Sequence, residues 1–237
     1  MNPYSTSPLE SHHRQLGVDF IDRAGWRLPD RYSSLEAEIA AVQQHVGMAD
    51  LSAKGKLNLK GASLPKFLDR VLQIQSYLPG NLTSVEFNHQ KILLAALTSD
   101  EALLLTPAGQ EGQVMDFLSQ NLGESFVSFV DCTGGLAGLL LAGPHSRSTI
   151  AKFCALSVHP HDFPNFHVAQ TSFAKVRATI LRRDLGSLPA FELYFDRSYA
   201  GYLWETLLDA GKEFSLQPLG CQTVDLLQNG GIEKSND

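Results

Sequence analysis

The clearest pattern in the chain is a helical one, in residues 33–46. Apolar side chains recur there every three or four residues, which places them on one face of a helix: Leu35, Ile39, Val42 and Val46. Ser33 and Glu36 have the spacing of a capping box, and Gly47 follows where a helix-ending glycine is expected. The same periodicity predicts further helices in "SLPKFLDRVL", "GQVMDFLSQNL", "PHSRSTIAKFC" and "SYAGYLWETLLDAG".

Strands are predicted where apolar residues alternate with polar ones or form short runs. "GKLNLK" alternates, which indicates a strand with one buried face. The other predicted strands are "TSVEF", "KILLAALT", "EALLLTP", "SFVSFVDCT", "GLAGLLLAG", "FAKVRATILRR" and "AFELYF". Helices and strands mix without strict alternation, so we expect an α+β fold in which helices cover antiparallel sheets.

Composition narrows the class of protein. The 237 residues carry a formal net charge of -6, and Arg182-Arg183 is the strongest basic pair, so nucleic acid is not an expected partner. No apolar run reaches the roughly 18 residues of a membrane span. Cys132, Cys154 and Cys221 lie far apart, as is usual in a reducing compartment. We therefore expect a cytoplasmic protein that binds neither nucleic acid nor a membrane.

Short motifs with known chemistry are weak in this chain. Gly55-Lys56 lacks the spacing of a phosphate-binding loop, since the preceding glycine is Gly47 and a leucine follows the lysine. The loop at 159–167, "HPHDFPNFH", holds histidines and an aspartate, but two prolines stiffen it and no other ligand pair stands nearby. We predict a polar surface loop there and no metal. His12-His13 and Ser146 are also expected at the surface.

Several longer segments, taken in order, resemble one known family. They are "SPLESHHRQLGVDFIDRAGWRLPDRY", "EAEIAAVQQHVGMADLSAKGKLNLKG", "VDCTGGLAGLLLAGPHSRSTI", "ELYFDRSYAGYLWETLLDAG" and "PLGCQTVDLLQNGG". Together they resemble the glycine cleavage T-protein, or aminomethyltransferase, family. The resemblance implies one folate-binding α+β domain over residues 1–237, built from subdomains around a central cavity. It also implies that the family's C-terminal β-barrel is absent from this chain.

The family's ligand-binding positions are mostly changed here. The resemblance implies a catalytic aspartate, but its position falls on Leu94 or Ala95, so no catalytic residue is assigned. The glutamate that binds the pterin ring in the family falls on Leu188. Asn88 matches a family asparagine, and Lys54 takes a ligand position, either in the cavity or as a surface lysine. Lys54, Asn88 and Leu188 are thus the candidate positions for tetrahydrofolate, the cofactor that the resemblance implies.

Three functions remain open at this stage. The leading hypothesis is a T-protein-like domain without aminomethyltransferase activity that binds a protein or a small ligand. The first alternative is a tetrahydrofolate-dependent one-carbon transferase with rearranged site residues. The second is a subunit of a larger complex, like the small subunit of heterotetrameric sarcosine oxidase, or a homologue of the iron–sulfur-maintenance branch. We also expect the chain to bind a protein partner or to form a homo-oligomer.

Overall fold

The structure is a computed structural model that describes residues 4–230. The helices are α1 (Glu10–Gln15), α2 (Leu35–Gln44), α3 (Leu64–Leu72), α4 (Glu111–Gln120), α5 (Ser146–Ala151), α6 (Ala200–Ala210) and α7 (Cys221–Gln228). The strands are β1 (Ser5–Thr6), β2 (Asp19–Arg23), β3 (Trp26–Arg31), β4 (Gly47–Asp50), β5 (Gly55–Lys60), β6 (Leu82–Phe87), β7 (Gln90–Ala96), β8 (Glu101–Thr106), β9 (Ser128–Asp131), β10 (Leu136–Ala142), β11 (His167–Phe173), β12 (Val176–Arg182), β13 (Ala190–Asp196) and β14 (Gln217–Leu219).

These strands form three sheets. The largest has six strands in the order β11-β12-β13-β10-β4-β14, and the second has five in the order β6-β7-β8-β5-β9. A small sheet, β1-β3-β2, lies at the N-terminus. Within the described residues, β1 pairs with β3 and β14 with β4 in parallel, while the other pairings are antiparallel. The predicted α+β architecture is confirmed.

The two large sheets contact each other and helices cover their remaining surfaces, with α2 and α7 packing beside β4 and β14 of the six-stranded sheet. The helices α3 and α4 cover the five-stranded sheet, with Phe67 and Leu118 in its core, while α6 covers the six-stranded sheet through Trp204. Leu93 and Tyr194 belong to a cluster that joins the two sheets. This arrangement buries both faces of the central strands and leaves a cavity where the sheets diverge.

The predicted capping box is wrong by one residue. Ser34, not Ser33, caps α2, because the Ser34 side chain accepts a hydrogen bond from the backbone N–H of Ala37 at 3.2 Å. The carboxylate of Glu38 instead accepts hydrogen bonds from the backbone N–H groups of Tyr32 and Ser33. Gly47 does not end the helix either, since it begins β4.

Six strands were absent from the prediction: β1, β2, β3, β4, β11 and β14. "FAKVRATILRR" is not a single strand, because Ala174 and Lys175 form the turn of a hairpin between β11 and β12. Both residues have positive φ angles, 47° and 68°, which glycine or asparagine usually supply. The sequence offers neither residue at this turn, so the hairpin had no recognisable signal.

Three polar residues expected at the surface are buried. His13 and Ser146 are fully buried, and the Ser146 hydroxyl donates a hydrogen bond to the carbonyl of Pro189 at 3.1 Å. Lys56 lies on β5, where the alternating pattern predicts an exposed position, yet its side chain is also fully buried. The alternation misleads because Lys56, at the beginning of β5, contacts Ser52, Lys54 and Thr133, whereas Lys60 at the other end of the same face is exposed.

Candidate functional site

A cavity of about 760 Å³ lies between the two large sheets. Its wall combines the strands β6 to β8 with the chain that follows β12 and the end of α7. Polar or charged members of the wall include Lys54, Ser84, Lys91, Arg183, Asp184 and Gln228. Residues that are far apart in the sequence therefore meet around one space large enough for a small molecule.

A charged cluster adjoins this cavity through Lys54 and Arg183, which line its wall. The buried Glu192 carboxylate accepts hydrogen bonds from Lys54 Nζ at 2.9 Å to each oxygen and from Arg183 Nη2 at 3.2 Å. Tyr194 lies two residues along β13, on the same face of the strand, and donates its hydroxyl to Glu192 at 2.6 Å. The cluster thus holds two cations around one carboxylate.

Burial and charge act in opposite directions on this cluster. Burial alone would raise the pKa of Glu192, but the charges of Lys54 and Arg183 outweigh it and lower that pKa to about 2. Burial also lowers the pKa of Lys54, and the neighbouring Arg183 adds to the effect, although Glu192 opposes it. Glu192 is therefore a carboxylate at neutral pH that both cations already engage.

Asp184 is the only carboxylate among the described residues that line the cavity wall, and it is also engaged. The guanidinium of Arg182 donates to both of its oxygens, from Nε at 3.1 Å and from Nη2 at 2.7 Å. The backbone N–H of Ala190 donates to the same carboxylate at 3.2 Å. Asp184 and Glu192 are therefore both already engaged by cations and by further hydrogen-bond donors.

Two side chains of the cavity wall each carry a buried hydrogen-bond donor that has no acceptor among residues 4–230. Within residues 4–230, Arg183 Nε and Gln228 Nε2 are buried and make no hydrogen bond. A buried donor without an acceptor costs about 1–3 kcal/mol. The cavity therefore presents positive charge and unpaired N–H groups rather than free carboxylate oxygens.

A second cavity of about 260 Å³ adjoins the first. Apolar side chains form much of its wall, among them Leu28, Ala53, Leu219 and Val224. Lys54, Pro107 and Gln228 line both cavities, so the two spaces meet at these residues.

A buried hydrogen-bonded chain lies beside the smaller cavity. Asp50, which lines it, accepts hydrogen bonds from Ser7 Oγ and from the backbone N–H of Ser52 at 2.8 Å, and contacts His13 Nε2 at 2.9 Å. The other ring nitrogen of His13 lies 2.6 Å from the hydroxyl of Tyr32. Burial would raise the pKa of Asp50, but the hydrogen bond and charge of His13 lower it.

Lys56 secures the segment that carries Lys54. Its Nζ donates hydrogen bonds to the carbonyls of Ser52 and Lys54, both at 2.8 Å. Burial lowers the pKa of Lys56 to about 8, although Asp50 opposes the change. Together with Asp50, which holds the N–H of Ser52, Lys56 fixes the backbone from which the Lys54 side chain reaches the cavity.

The structure places the three candidate ligand positions differently. Lys54 lies in both cavity walls with its side chain only 17% exposed, so the alternative of a surface lysine does not hold. Asn88 is exposed in the turn between β6 and β7, although the adjacent His89 lines the larger cavity. Leu188 is hydrogen-bonded through its backbone to Leu185 and lies outside the described walls of both cavities.

The positions that align with the family's aspartate are apolar. Leu94 points into the core beneath α3 and α4, whereas Ala95 belongs to the cluster between the sheets. Leu93, the neighbour of Leu94 on β7, is the residue of this group that lines the cavity.

Sequence reasoning missed Arg183 and Gln228 as cavity residues. The pair Arg182-Arg183 did contain a signal for a cavity residue. Adjacent residues at the end of a strand point to opposite sides, so one of the two arginines could be expected to face away from the other. Arg182 is only 5% exposed and donates to the carbonyl of Phe163 at 2.6 Å, while Arg183 turns to the cavity. Gln228 carries no such signal, since its position depends on how α7 packs.

The described part of the chain was also compared with the features of metal and membrane proteins. Within residues 4–230, no three histidine, cysteine, aspartate or glutamate side chains come together as a set that could hold a metal ion. In the loop at 159–167, His161 contacts Asp162 at 3.1 Å with both side chains exposed. None of the helices in this part has both the length and the apolar content that a membrane crossing requires.

Similar proteins of known sequence are aminomethyltransferases and a sarcosine oxidase subunit. The chain is 25% identical to the aminomethyltransferase of Thermoanaerobacter sp. strain X514 and 26% identical to that of Desulfitobacterium hafniense strain DCB-2, with 96% of the chain and 64% of each relative covered. It is 26% identical to the sarcosine oxidase subunit alpha of Corynebacterium sp. strain P-1, covering 96% of the chain and 26% of that protein. The chain thus spans less than two thirds of the length of the aminomethyltransferases that it matches.

Solved structures share the fold. The glycine cleavage system aminomethyltransferase T from Bartonella henselae superposes with a TM-score of 0.82 at 20% identity, covering 94% of this chain and 62% of that one. A chain of the heterotetrameric sarcosine oxidase from Corynebacterium sp. U-96 gives a TM-score of 0.63 at 21% identity, covering 76% of this chain and 92% of that one. The model of the GCVT N-terminal domain matches residues 9–232. The resemblance noted in the sequence is therefore confirmed, and the chain belongs to the GCVT N-terminal domain family.

Proposed function

We propose that this chain binds a small molecule in its cavity and does not transfer an aminomethyl group. The observation that carries the proposal is the state of the cavity carboxylates. Asp184 in the cavity wall is held by Arg182, and the buried Glu192 is held by the wall residues Lys54 and Arg183, both of which are cations. A carboxylate that orients an amine and stabilises its developing positive charge must be free to contact it. Here an amine would meet Lys54 and Arg183 instead.

The same wall does not fit the pterin ring of tetrahydrofolate. The N–H groups of a pterin are matched by a carboxylate that accepts two parallel hydrogen bonds. The family's pterin-binding glutamate falls on Leu188, which cannot accept them and lies outside this wall, and Asp184 in the wall is already held by Arg182. Each N–H group left unpaired on burial would cost about 1–3 kcal/mol. The family's usual cofactor is therefore disfavoured at this site.

Two assays on the full chain test this proposal. We expect no folate product when the protein is incubated with an aminomethyl donor and tetrahydrofolate, under conditions in which the Thermoanaerobacter sp. aminomethyltransferase is active. We also expect no thermal shift with tetrahydrofolate, whereas a ligand at 100 times its Kd would add about 2.7 kcal/mol to the free energy of unfolding. Product formation above the protein-free blank would refute the proposed function.

A second function is favoured by the likeness to sarcosine oxidase. One solved relative is a chain of a heterotetramer, and this chain covers 92% of it. We propose that a protein partner can use the same fold in a larger complex, with the ligand cavity retained. Native mass spectrometry of the protein purified from its own cells tests this function. A stoichiometric partner supports it, and a monomer at physiological concentration would contradict it.

A further inference from the structure

We infer that the two adjoining cavities bind a single small carboxylic acid that carries an apolar body. This inference rests on the proposed ligand-binding function and names the class of ligand. It assigns the acid group to the junction of Lys54, Arg183 and Gln228, and the apolar body to the smaller cavity.

The side chains at the junction of the two cavities carry one positive charge more than negative, which a ligand with one negative group would balance. Lys54 and Arg183 share the single carboxylate of Glu192, so the cluster retains one positive charge in excess. Lys54 uses two of its three N–H groups on Glu192, and Arg183 uses Nη2 on the same carboxylate. A monoanionic ligand would balance the excess charge without displacing Glu192.

The unpaired N–H groups of Arg183 and Gln228 favour a ligand that brings a hydrogen-bond acceptor to the same junction. Arg183 Nε and Gln228 Nε2 are buried, make no hydrogen bond within residues 4–230, and belong to side chains that line the same cavity. Because a guanidinium presents its N–H groups in a fork that matches two oxygens, a carboxylate is the acceptor that Arg183 binds best. A neutral carbonyl would satisfy a donor but would leave the excess charge unbalanced.

The smaller cavity accounts for the apolar body. It begins at Lys54 and Gln228 and extends between Ala53 and Val224. Its charged wall residues are paired, Arg23 with Asp225 and Asp50 with the buried His13. A dry apolar cavity of about 150 Å³ can hold benzene, so a space of about 260 Å³ accommodates an aryl or short alkyl group. The proximity of the two spaces means that one molecule can occupy both.

Calorimetric titration with matched probes tests the inference. The probes are 4-phenylbutyrate, its neutral amide and 4-phenylbutylamine, each titrated into the full chain. We expect the acid to bind at least about tenfold tighter than the amide and the amine not to bind measurably, because the acid alone supplies negative charge. Equal affinity for acid and amide, or no acid binding at 10 mM as a rough upper limit, would overturn the inference.

Variants locate the site. Arg183→Gln removes the guanidinium and should lower the affinity for the acid at least about tenfold. Arg177→Gln is the matched control, since Arg177 is an exposed arginine on the adjoining strand β12, and its affinity should stay within about twofold of the parent. If Arg183→Gln does not fold, Gln228→Leu keeps the side-chain volume and removes the other unpaired donor. Unchanged affinity in the folded variants would place the acid elsewhere and refute the assignment.

The outcomes separate the two proposals. Tetrahydrofolate turnover would refute the proposed function whatever the acid does. Selective binding of the amide, or tetrahydrofolate binding without turnover and without acid binding, would refute the ligand class and leave the absence of aminomethyl transfer standing.

Discussion

Replacing Glu192 with glutamine should strongly destabilise the protein. The pKa of Glu192 falls from 4.5 to about 2 in the folded state, and a difference of one in pKa corresponds to about 1.4 kcal/mol. The carboxylate charge therefore contributes about 3 kcal/mol to the free energy of unfolding at neutral pH. The same interaction seen from the cations gives a similar figure, because removing the counterion of a buried ion pair typically costs about 3–5 kcal/mol.

The effect has a defined pH dependence. Because the pKa of Glu192 is depressed on folding, its contribution is present above about pH 4.5 and is lost as the pH falls toward 2. The parent protein and Glu192→Gln should therefore differ most near neutral pH and converge in acid. Urea unfolding between pH 7 and pH 3 measures both free energies, with the denaturant slope as a check on two-state behaviour.

A surface variant provides the control for this measurement. Glu10→Gln removes a carboxylate that pairs with Arg14 at an exposed site on α1, and should cost less than about 1 kcal/mol. A loss of less than about 1 kcal/mol for Glu192→Gln, or a difference from the parent that does not shrink in acid, would refute the assignment of Glu192 as the paired centre of the cluster.

The remaining predictions concern Lys56 and Gly138. Since burial lowers the pKa of Lys56 to about 8, the unfolded chain holds more protons above that pH. The parent should therefore gain about 2–3 kcal/mol relative to Lys56→Met between pH 7 and 10. A difference in urea unfolding that stays flat over this range would contradict this. Gly138→Ala would place a methyl group 2.8 Å from the ring of Tyr194 and should cost about 1–3 kcal/mol in thermal unfolding. Gly112→Ala on α4 has no neighbour within 4 Å and should be neutral or stabilising, so equal effects of the two glycine substitutions would argue against tight packing at Gly138.

Local patterns in the sequence predicted most of the elements. The apolar stripe from Leu64 to Leu72 is a helix in the structure, and the run from Glu101 to Thr106 is a strand. These predictions succeed because the spacing of apolar residues in the sequence matches the spacing of the side chains that face the core. Patterns failed where a residue's surroundings come from distant parts of the chain. Lys56 and His13 look exposed by periodicity, yet each is covered by segments that no local window contains.

The cavity was only partly accessible from the sequence. The family resemblance drew attention to Lys54, and the structure places it in the wall. Arg183 and Gln228 complete the same wall, but they reach it from the end of β12 and the end of α7, and their proximity follows from sheet packing alone. The pairing of Glu192 with two cations is likewise visible only in the folded protein. The sequence shows a missing carboxylate only where leucine stands at the position of a family carboxylate, as at Leu188.

A single-turnover experiment tests the central claim most directly. The protein, in excess over a ¹³C-labelled aminomethyl donor, is mixed with tetrahydrofolate, and the folate products are followed by mass spectrometry. Because Asp184 in the described cavity wall is held by Arg182, and the wall residues Lys54 and Arg183 are cations that hold Glu192, we predict that no label reaches the folate above the protein-free blank. Transfer of labelled carbon to the folate by the parent protein, abolished by denaturing it first, would contradict the account.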